Sequence, residues 1–139
     1  MNEIPTPTQG ELEILKVLWD LGPTSVRSVY EHLRPQKEKL AYNTIQTLLR
    51  IMEEKGLVQH HVEGRAFVYR PRYSRDESAV RFLDRVLDRV FDGAATQLVT
   101  SLLKIERVTP EELQEMHAMI AEARRAKANH RIGKKPRTT

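Results

Sequence analysis

Before residue 57, hydrophobic residues recur with the period of an α-helix in three separate segments. The first segment follows TQGE, residues 8–11, which matches a capping box, and it stops at Gly22-Pro23. The second ends before Pro35, because the residue preceding a proline is pushed out of the helical region, and the third ends at Gly56. The side chains expected on the buried faces of these three helices are Leu12, Leu15, Leu18, Trp19, Val26, Val29, Tyr30, Leu33, Ile45, Leu48 and Leu49.

After the third helix the pattern changes to the alternation typical of β-strands. The sequence LVQHHVEGRAFVYRP predicts two strands around a turn at Glu63-Gly64, with Phe67 and Tyr69 on one face. Three helices followed by a basic hairpin, with a polar start to the third helix, are the order of the winged variant of the helix-turn-helix. We therefore predict a mainly α fold with a small β-hairpin wing, and a winged helix-turn-helix domain at residues 1–73.

A second group of three helices is predicted after the wing. SRDE, residues 74–77, matches another capping box, Gly93 ends the helix that it opens, and Thr109 in TPEEL caps the last helix of the group. Three such helices cannot easily bury their hydrophobic stripes within one small chain. We expect the broad stripe at residues 80–91 to pair with its copy in a second subunit. The alternative is that this stripe packs only on the winged domain.

The predicted domain organisation follows from this reading. A three-helix dimerisation domain is expected at residues 74–122, and a basic, disordered tail at residues 123–139. Dimerisation suits DNA binding, because a two-fold protein reads two half-sites and its second contact becomes intramolecular. The residues expected in the dimer contact are Val80, Leu83, Val86, Leu87, Val90, Phe91, Leu98, Leu102, Leu113, Met116 and Ile120.

The polar face of the third helix carries short, uncharged side chains at its start. Asn43, Thr44, Gln46 and Thr47 occupy the first turn and a half, where Asn and Thr are mediocre helix formers. In a helix-turn-helix this position faces base edges in the major groove, and Asn, Gln and Thr are residues that read them. We predict that these four residues read bases; the alternative is that they are caps and solvated groups. The residues expected on the DNA backbone are Tyr42, Arg50, Arg65 and Arg70.

Composition narrows the class of protein. The 139 residues are 40% hydrophobic and 30% charged, which suits one domain or two small ones. The absence of cysteine excludes disulfides, thiolate metal sites and cysteine nucleophiles. The longest apolar runs fall far short of the ~20 residues that span a bilayer, and MNEIPTPTQGE lacks the features of a signal peptide. We therefore expect a cytoplasmic protein without membrane contact of its own.

The distribution of charge points to a polyanionic partner. The net charge is +4, but residues 34–72 hold eight basic and four acidic side chains, and residues 123–139 hold seven basic and none acidic. The remaining two regions are net acidic. Separate basic regions on one chain are the electrostatic footprint of a nucleic-acid binder, although a basic tail equally serves solubility.

Four stretches of the chain resemble the penicillinase-repressor (BlaI/MecI) family of bacterial transcriptional repressors, in order and over roughly residues 7–122. The resemblance implies a homodimer that binds palindromic double-stranded operator DNA, represses β-lactam-resistance genes, and is released when a membrane sensor protease pathway leads to its cleavage. The stretches are PTQGELEILKVLWDLGPTSVRSVYEHL, LAYNTIQTLLRIMEEKGLV, GRAFVYRP and DGAATQLVTSLL.

The chain departs from the family pattern at two places. Well-known members have basic residues where this chain has Asn43 and Gln46, so its operator sequence need not be theirs. The Asn-Phe pair that is cleaved in the family aligns here with Ser101-Leu102, which is therefore the candidate cleavage bond.

Two other function classes compete with a DNA-binding repressor. An enzyme is disfavoured, because the five histidines are scattered and no Gly-rich phosphate loop or nucleophile elbow is present. His60 and His61 are adjacent on a predicted strand and so point to opposite faces. We expect no catalytic residue, metal site or cofactor. The stronger alternative is a winged-helix module that docks a protein or RNA, since fold alone does not decide function.

Overall fold

The computed structural model describes residues 6–36 and 40–133 of the chain. Its first six elements have the order of a winged helix-turn-helix, which confirms the predicted fold, and three further helices follow. The elements are α1 (Gln9–Leu21), β1 (Thr24–Ser25), α2 (Val26–Leu33), α3 (Tyr42–Glu54), β2 (Val58–Glu63), β3 (Ala66–Pro71), α4 (Arg75–Phe91), α5 (Ala95–Lys104) and α6 (Pro110–Gly133).

The predicted capping boxes form at the starts of three helices. Thr8 and Glu11 exchange hydrogen bonds of 2.8 and 3.2 Å at the start of α1. Ser74 and Glu77 do the same at α4, where the bonds from Ser74 lower the pKa of Glu77 below its ordinary value. Thr109 caps α6 in the same way, through two hydrogen bonds with a glutamate three residues later. Each box satisfies amides that a helix leaves without partners in its first turn.

The core of the winged domain is formed where α1, α2 and α3 meet. Its buried members include Ile14, Val17 and Met52, which the hydrophobic pattern alone did not single out. Conversely, Trp19 and Leu48, predicted as core, are only partly buried at its edge. A helix packed against two neighbours buries a wider stripe than one counted from a single face, which accounts for the additional buried residues.

The hairpin belongs to a three-stranded sheet of order β1-β3-β2. β2 and β3 pair antiparallel around a turn at Gly64, whose φ of 62° lies in the left-handed region that glycine adopts most easily. The third strand, β1, was not predicted. It pairs with β3 over two residues, with Thr24 opposite Tyr69, and two residues are too few to show an alternating pattern.

The chain divides into two compact units between Val86 and Leu87, within α4. The domain boundary that we predicted lies between residues 73 and 74, just before the start of α4, and so precedes the division between the compact units. The first turns of this helix are tied to α1: the Trp19 indole N–H donates to the Tyr73 carbonyl at 3.0 Å, and Arg75 contacts Asp20 at 3.0 Å. These contacts explain why the start of α4 groups with the winged domain.

The helices after the wing form no buried core within residues 75–130. No described side chain from residue 75 to residue 130 is buried. α6 continues to Gly133, so the prediction of a disordered tail was wrong for residues 123–133; residues 134–139 lie outside the described part. The segment AEARRAKANHR is rich in alanine and arginine, which are strong helix formers, and a count of charge alone overlooks that propensity.

A buried ion pair joins the start of α1 to the end of α3. The Lys55 ammonium donates to both carboxylate oxygens of Glu11 at 3.0 and 2.9 Å, and the Thr8 amide donates to the same carboxylate. Glu11 is 1% exposed. Burial alone would raise the pKa of Glu11, but the hydrogen bonds from Thr8 and the charge of Lys55 outweigh it and lower the pKa. The folded state therefore favours the ionised carboxylate.

This pair predicts an acid-dependent component of stability. The contribution of Glu11 is fully present above its unfolded pKa, near the ordinary value of 4.5, and is lost as pH falls through the lower pKa of the folded state. Glu11→Gln should lower the free energy of unfolding at neutral pH by about 1–3 kcal/mol, and less at acid pH. Urea unfolding across pH measures this. Glu13→Gln is the control, and equal pH dependence in all three proteins would contradict the prediction.

Candidate nucleic-acid interface

The face of α3 opposite the core is polar and exposed. Ile45, Leu49 and Met52 are 0% exposed and hold one side of the helix against α1 and α2. Because a helix repeats every three to four residues, this burial turns the intervening positions outward. The predicted base-reading residues, all exposed, are Asn43, Thr44, Gln46 and Thr47.

The four polar side chains do not cap the helix that carries them. The N-cap residue of α3 is Ala41, and its carbonyl accepts the amides of Thr44 and Ile45 at 3.1 and 3.2 Å. Among residues 6–36 and 40–133, none of the four side chains has a hydrogen-bond partner. Their donors and acceptors are therefore available to a partner outside the chain, which weakens the capping alternative.

A groove of about 810 Å³ runs between α3 and the wing. Gln46, Thr47 and Arg50 of α3 line it, together with Arg65 at the tip of the wing. Asn43, at the first turn of α3, is not among the lining residues. The groove thus combines two predicted base readers with two predicted backbone-binding arginines. The residues that complete its lining are Ser25, Val26, Arg27, Tyr42, Glu53, His60, Ala66, Phe67 and Tyr69.

Arg27 of α2 is a candidate that the sequence reading missed. Its guanidinium lies 5.4 Å from the ring centre of Tyr42, and the Tyr42 ring packs edge-on against Tyr30 at 5.7 Å. Tyr42, which was predicted to contact the DNA backbone, therefore also packs against the Arg27 guanidinium and helps to hold it in place. The sequence did contain a signal for this residue. Arg27 lies at the start of the first helix of the helix-turn-helix, and that helix crosses the DNA backbone.

Arg70 lies apart from this groove. Its guanidinium donates to the Gln59 side-chain oxygen at 2.9 Å across the hairpin, and it does not line the groove. Arg70 alternates with Tyr69 along β3, and Tyr69 lines the groove. The arginine therefore stands on the other face of the wing, because successive strand residues point to opposite faces.

A second unpredicted contact lies at the end of α3. The Glu53 carboxylate oxygens lie 2.6 and 2.7 Å from His60 Nδ1, and the His60 amide donates to the same carboxylate at 3.2 Å. The His60 ring stacks on Phe67 with ring centres 4.2 Å apart. Tyr69 beside it has a raised pKa because it is buried and because Glu53 is negative. The histidine therefore connects α3 to both strands of the wing.

The side chains predicted for dimerisation lie on the surface of the single chain. Val80 and Val90 are 66% and 67% exposed, and no member of the predicted set is buried. The candidate cleavage residues lie in α5, where Ser101 is half-buried and Leu102 is exposed. These positions leave the apolar stripe available for a second subunit.

Two further kinds of feature, a metal cluster and a membrane-spanning helix, are not found in the described part of the chain. No group of three or more histidine, aspartate or glutamate side chains in residues 6–36 and 40–133 is arranged to hold a metal ion. None of the helices in the described ranges is both long enough and apolar enough to cross a membrane.

Comparison with known proteins gives consistent matches. A family model described as penicillinase repressor matches residues 7–122. The chain is 29% identical over 127 residues to the penicillinase repressor of Bacillus licheniformis, covering 91% of this chain and 98% of that protein. It is 31% identical over 116 residues to the transcriptional regulator BlaI of Mycobacterium tuberculosis, covering 81% and 83%. The solution structure of the DNA-binding domain of the repressor BlaI matches 55% of this chain and 93% of its own, with 35% identity and a TM-score of 0.49.

Proposed function

We propose, since the chain belongs to the penicillinase repressor family of transcriptional repressors, that it blocks transcription by inserting α3 into the major groove of operator DNA. The family is not enzymatic. The observation that carries the proposal is the exposed polar start of α3, whose side chains have no hydrogen-bond partner within the described residues. Two of them, Gln46 and Thr47, line a groove together with arginines of α2, α3 and the wing. We propose the cytoplasm as its location, because a bacterial repressor meets its operator DNA there.

The chemistry of the exposed groups suits base reading. Asn43 and Gln46 each offer one donor and one acceptor, the pair of groups that bonds adenine in the major groove. Thr44 and Thr47 add hydroxyls, and methyl groups that can contact thymine. Arg27, Arg50 and Arg65, which line the groove, would bind phosphates and set the register of the helix on the duplex.

Docking of a protein or an RNA is the competing function for this surface. A-form RNA has a deep, narrow major groove that side chains cannot read, so a helix that presents base-reading groups favours DNA. A protein partner is not excluded by shape alone. The discriminating measurement is whether the full chain prefers the promoter duplex of its own gene to a random duplex.

Substitutions in α3 and the wing should affect DNA binding differently. Asn43→Ala or Gln46→Ala should each weaken operator binding by about 1–3 kcal/mol for each lost bidentate contact, and relax sequence preference at one position of each half-site. Arg65→Ala should weaken operator and random duplex alike and lower the salt dependence, because phosphate contacts release counterions without reading sequence. Titration of labelled duplexes at several salt concentrations measures both effects.

Folding controls complete this test. All three side chains are exposed, so the thermal midpoints of the variants should match that of the wild type. If Asn43→Ala and Gln46→Ala left the ratio of operator to random affinity unchanged in folded protein, α3 would not read bases through these residues.

The second half of the chain supports a homodimer as the operator-binding form. α4 and α5 have no buried residue, and their exposed apolar side chains include Leu83, Val90 and Val99. Soluble monomers rarely leave a broad apolar face uncovered. A second copy of the chain is the occupant that we propose, since a two-fold dimer would present two α3 helices to a palindromic operator.

A charged residue in this face should dissociate the dimer. Val90→Lys should shift the full chain from dimer to monomer in sedimentation equilibrium at micromolar concentration, because a buried lysine without a partner is costly to desolvate. Asp88→Lys, two residues away at an exposed polar position, is the control and should stay dimeric. A monomeric wild type at that concentration would disprove the homodimer.

Cleavage in α5 is the release mechanism that we propose, with β-lactam-resistance genes as the regulated class and a sensor protease pathway as the trigger. A cut at Ser101-Leu102 would separate the winged domain and α4 from α6. The base-reading residues would stay intact, but the second half-site would no longer be tethered to the first.

Induction should therefore produce a fragment. In cells treated with a β-lactam, an immunoblot should show an N-terminal fragment ending at Ser101, whose operator affinity is at least about 100-fold below that of the intact dimer. Untreated cells are the control. Release of the intact chain from its operator without any fragment would rule out cleavage and indicate a different inducing event.

A further inference from the structure

We propose that Glu53 and His60 act as a positioning pair that sets the wing relative to α3, so that Arg65 reaches a phosphate when α3 lies in the major groove. This inference rests on the proposed DNA binding and adds to it two residues that contact no DNA themselves. It concerns the angle between the two elements that border the groove.

Both oxygens of the Glu53 carboxylate contact His60. His60 Nδ1 lies 2.6 and 2.7 Å from the two oxygens of Glu53, and the backbone N–H of the same histidine donates to one of them at 3.2 Å. Three contacts from one residue to one carboxylate restrict both the distance and the rotation between the last turn of α3 and β2. A single flexible hydrogen bond would restrict only the distance.

The histidine passes this restriction on to the second strand of the wing. Its ring stacks on Phe67 with an interplanar angle of 14° and lies 5.5 Å from the ring centre of Tyr69. Tyr69 is buried in the core, whereas Phe67 is 46% exposed and lies two residues after Arg65. The chain of contacts therefore runs from α3 through His60 to the segment that carries the arginine at the tip.

The negative charge of Glu53 allows a positioning role to be distinguished from a purely electrostatic effect on DNA binding. It is the acidic member of the residues that line the groove, alongside Arg27, Arg50 and Arg65. A carboxylate facing DNA repels phosphates, so removing it should tighten binding if charge were its only effect. A positioning role predicts the opposite sign, because the wing arginine would lose its alignment. The two explanations can be separated by the direction of the change.

The experiment uses the full chain and duplex DNA of random sequence, on which phosphate contacts dominate. Glu53→Ala and His60→Ala should each weaken binding by about 3- to 10-fold, the loss expected of one ordinary hydrogen bond, and the double variant should be no weaker than either. Glu53→Gln keeps an acceptor for the histidine and should restore most of the affinity. Glu54→Ala removes the same charge from the adjacent exposed position and should bind at least as tightly as the wild type.

A double-variant cycle with the wing tests the route of the effect. Arg65→Ala should cost much less affinity in the Glu53→Ala background than in the wild type, whereas Asn43→Ala should lower operator affinity by the same factor in both. If Glu53→Ala bound like Glu54→Ala, and Arg65→Ala cost the same in both backgrounds, positioning would be disproved.

A measurement without DNA separates this inference from the proposed function. In nitrogen-15 relaxation of the free protein, Glu53→Ala should increase the mobility of the amides around Arg65 while the amides of α1 remain as in the wild type. Unchanged hairpin mobility would overturn the positioning role. Failure of the wild type to bind any duplex would overturn the proposed function, and the relaxation data would still decide whether the pair holds the wing.

Discussion

The seating of α3 against α1 and α2 is the constraint on which the candidate interface depends. Ile45, Leu49 and Met52 leave no accessible surface, and burying three large side chains along one stripe fixes the rotation of the helix about its axis. Given that rotation, Gln46 and Arg50 can only face outward. The polar surface is thus a consequence of hydrophobic packing on the opposite side, and a change of core volume would disturb it without touching a polar residue.

Two carboxylates, Glu11 and Glu53, connect the C-terminal end of α3 to α1 and to the wing respectively. Glu11 is buried and paired with Lys55, next to the last residue of α3, so it couples the end of α3 to the start of α1. Glu53 is about one-third exposed and engages His60, so it couples the same end to the wing. Breaking the Glu11–Lys55 pair chiefly affects folding, because an unpaired buried charge is costly. The Glu53–His60 pair is more accessible to solvent, so we expect its contribution to stability to be smaller.

The two halves of the chain differ in how they satisfy their hydrophobic residues. The winged domain buries most of its own hydrophobic side chains, from Ile14 to Tyr69, in one core, and so can hold its interface in one geometry. In α4, α5 and α6 no side chain from residue 75 to residue 130 is buried, and the part of α6 from residue 122 to residue 130 is exposed and rich in charged residues. Helices of this kind gain their stability from packing against a partner rather than from propensity alone. Binding of a second copy would therefore supply the core that one chain lacks.

The sequence alone was enough to predict the helices other than the second half of α6, their capping boxes, the hairpin and the polar start of α3, because these depend on periodicity and on contacts between residues three or four apart. It could not show β1, the Glu11–Lys55 pair or the Glu53–His60 contact. β1 is too short to show a pattern, and it forms because β3 offers free backbone groups to Thr24. Glu11 and Lys55 are 44 residues apart, and only the packing of α1 on α3 brings their charges together. Sequence alone also could not show that Arg27 and Arg65 line the same groove, since the direction of a side chain depends on how whole elements pack.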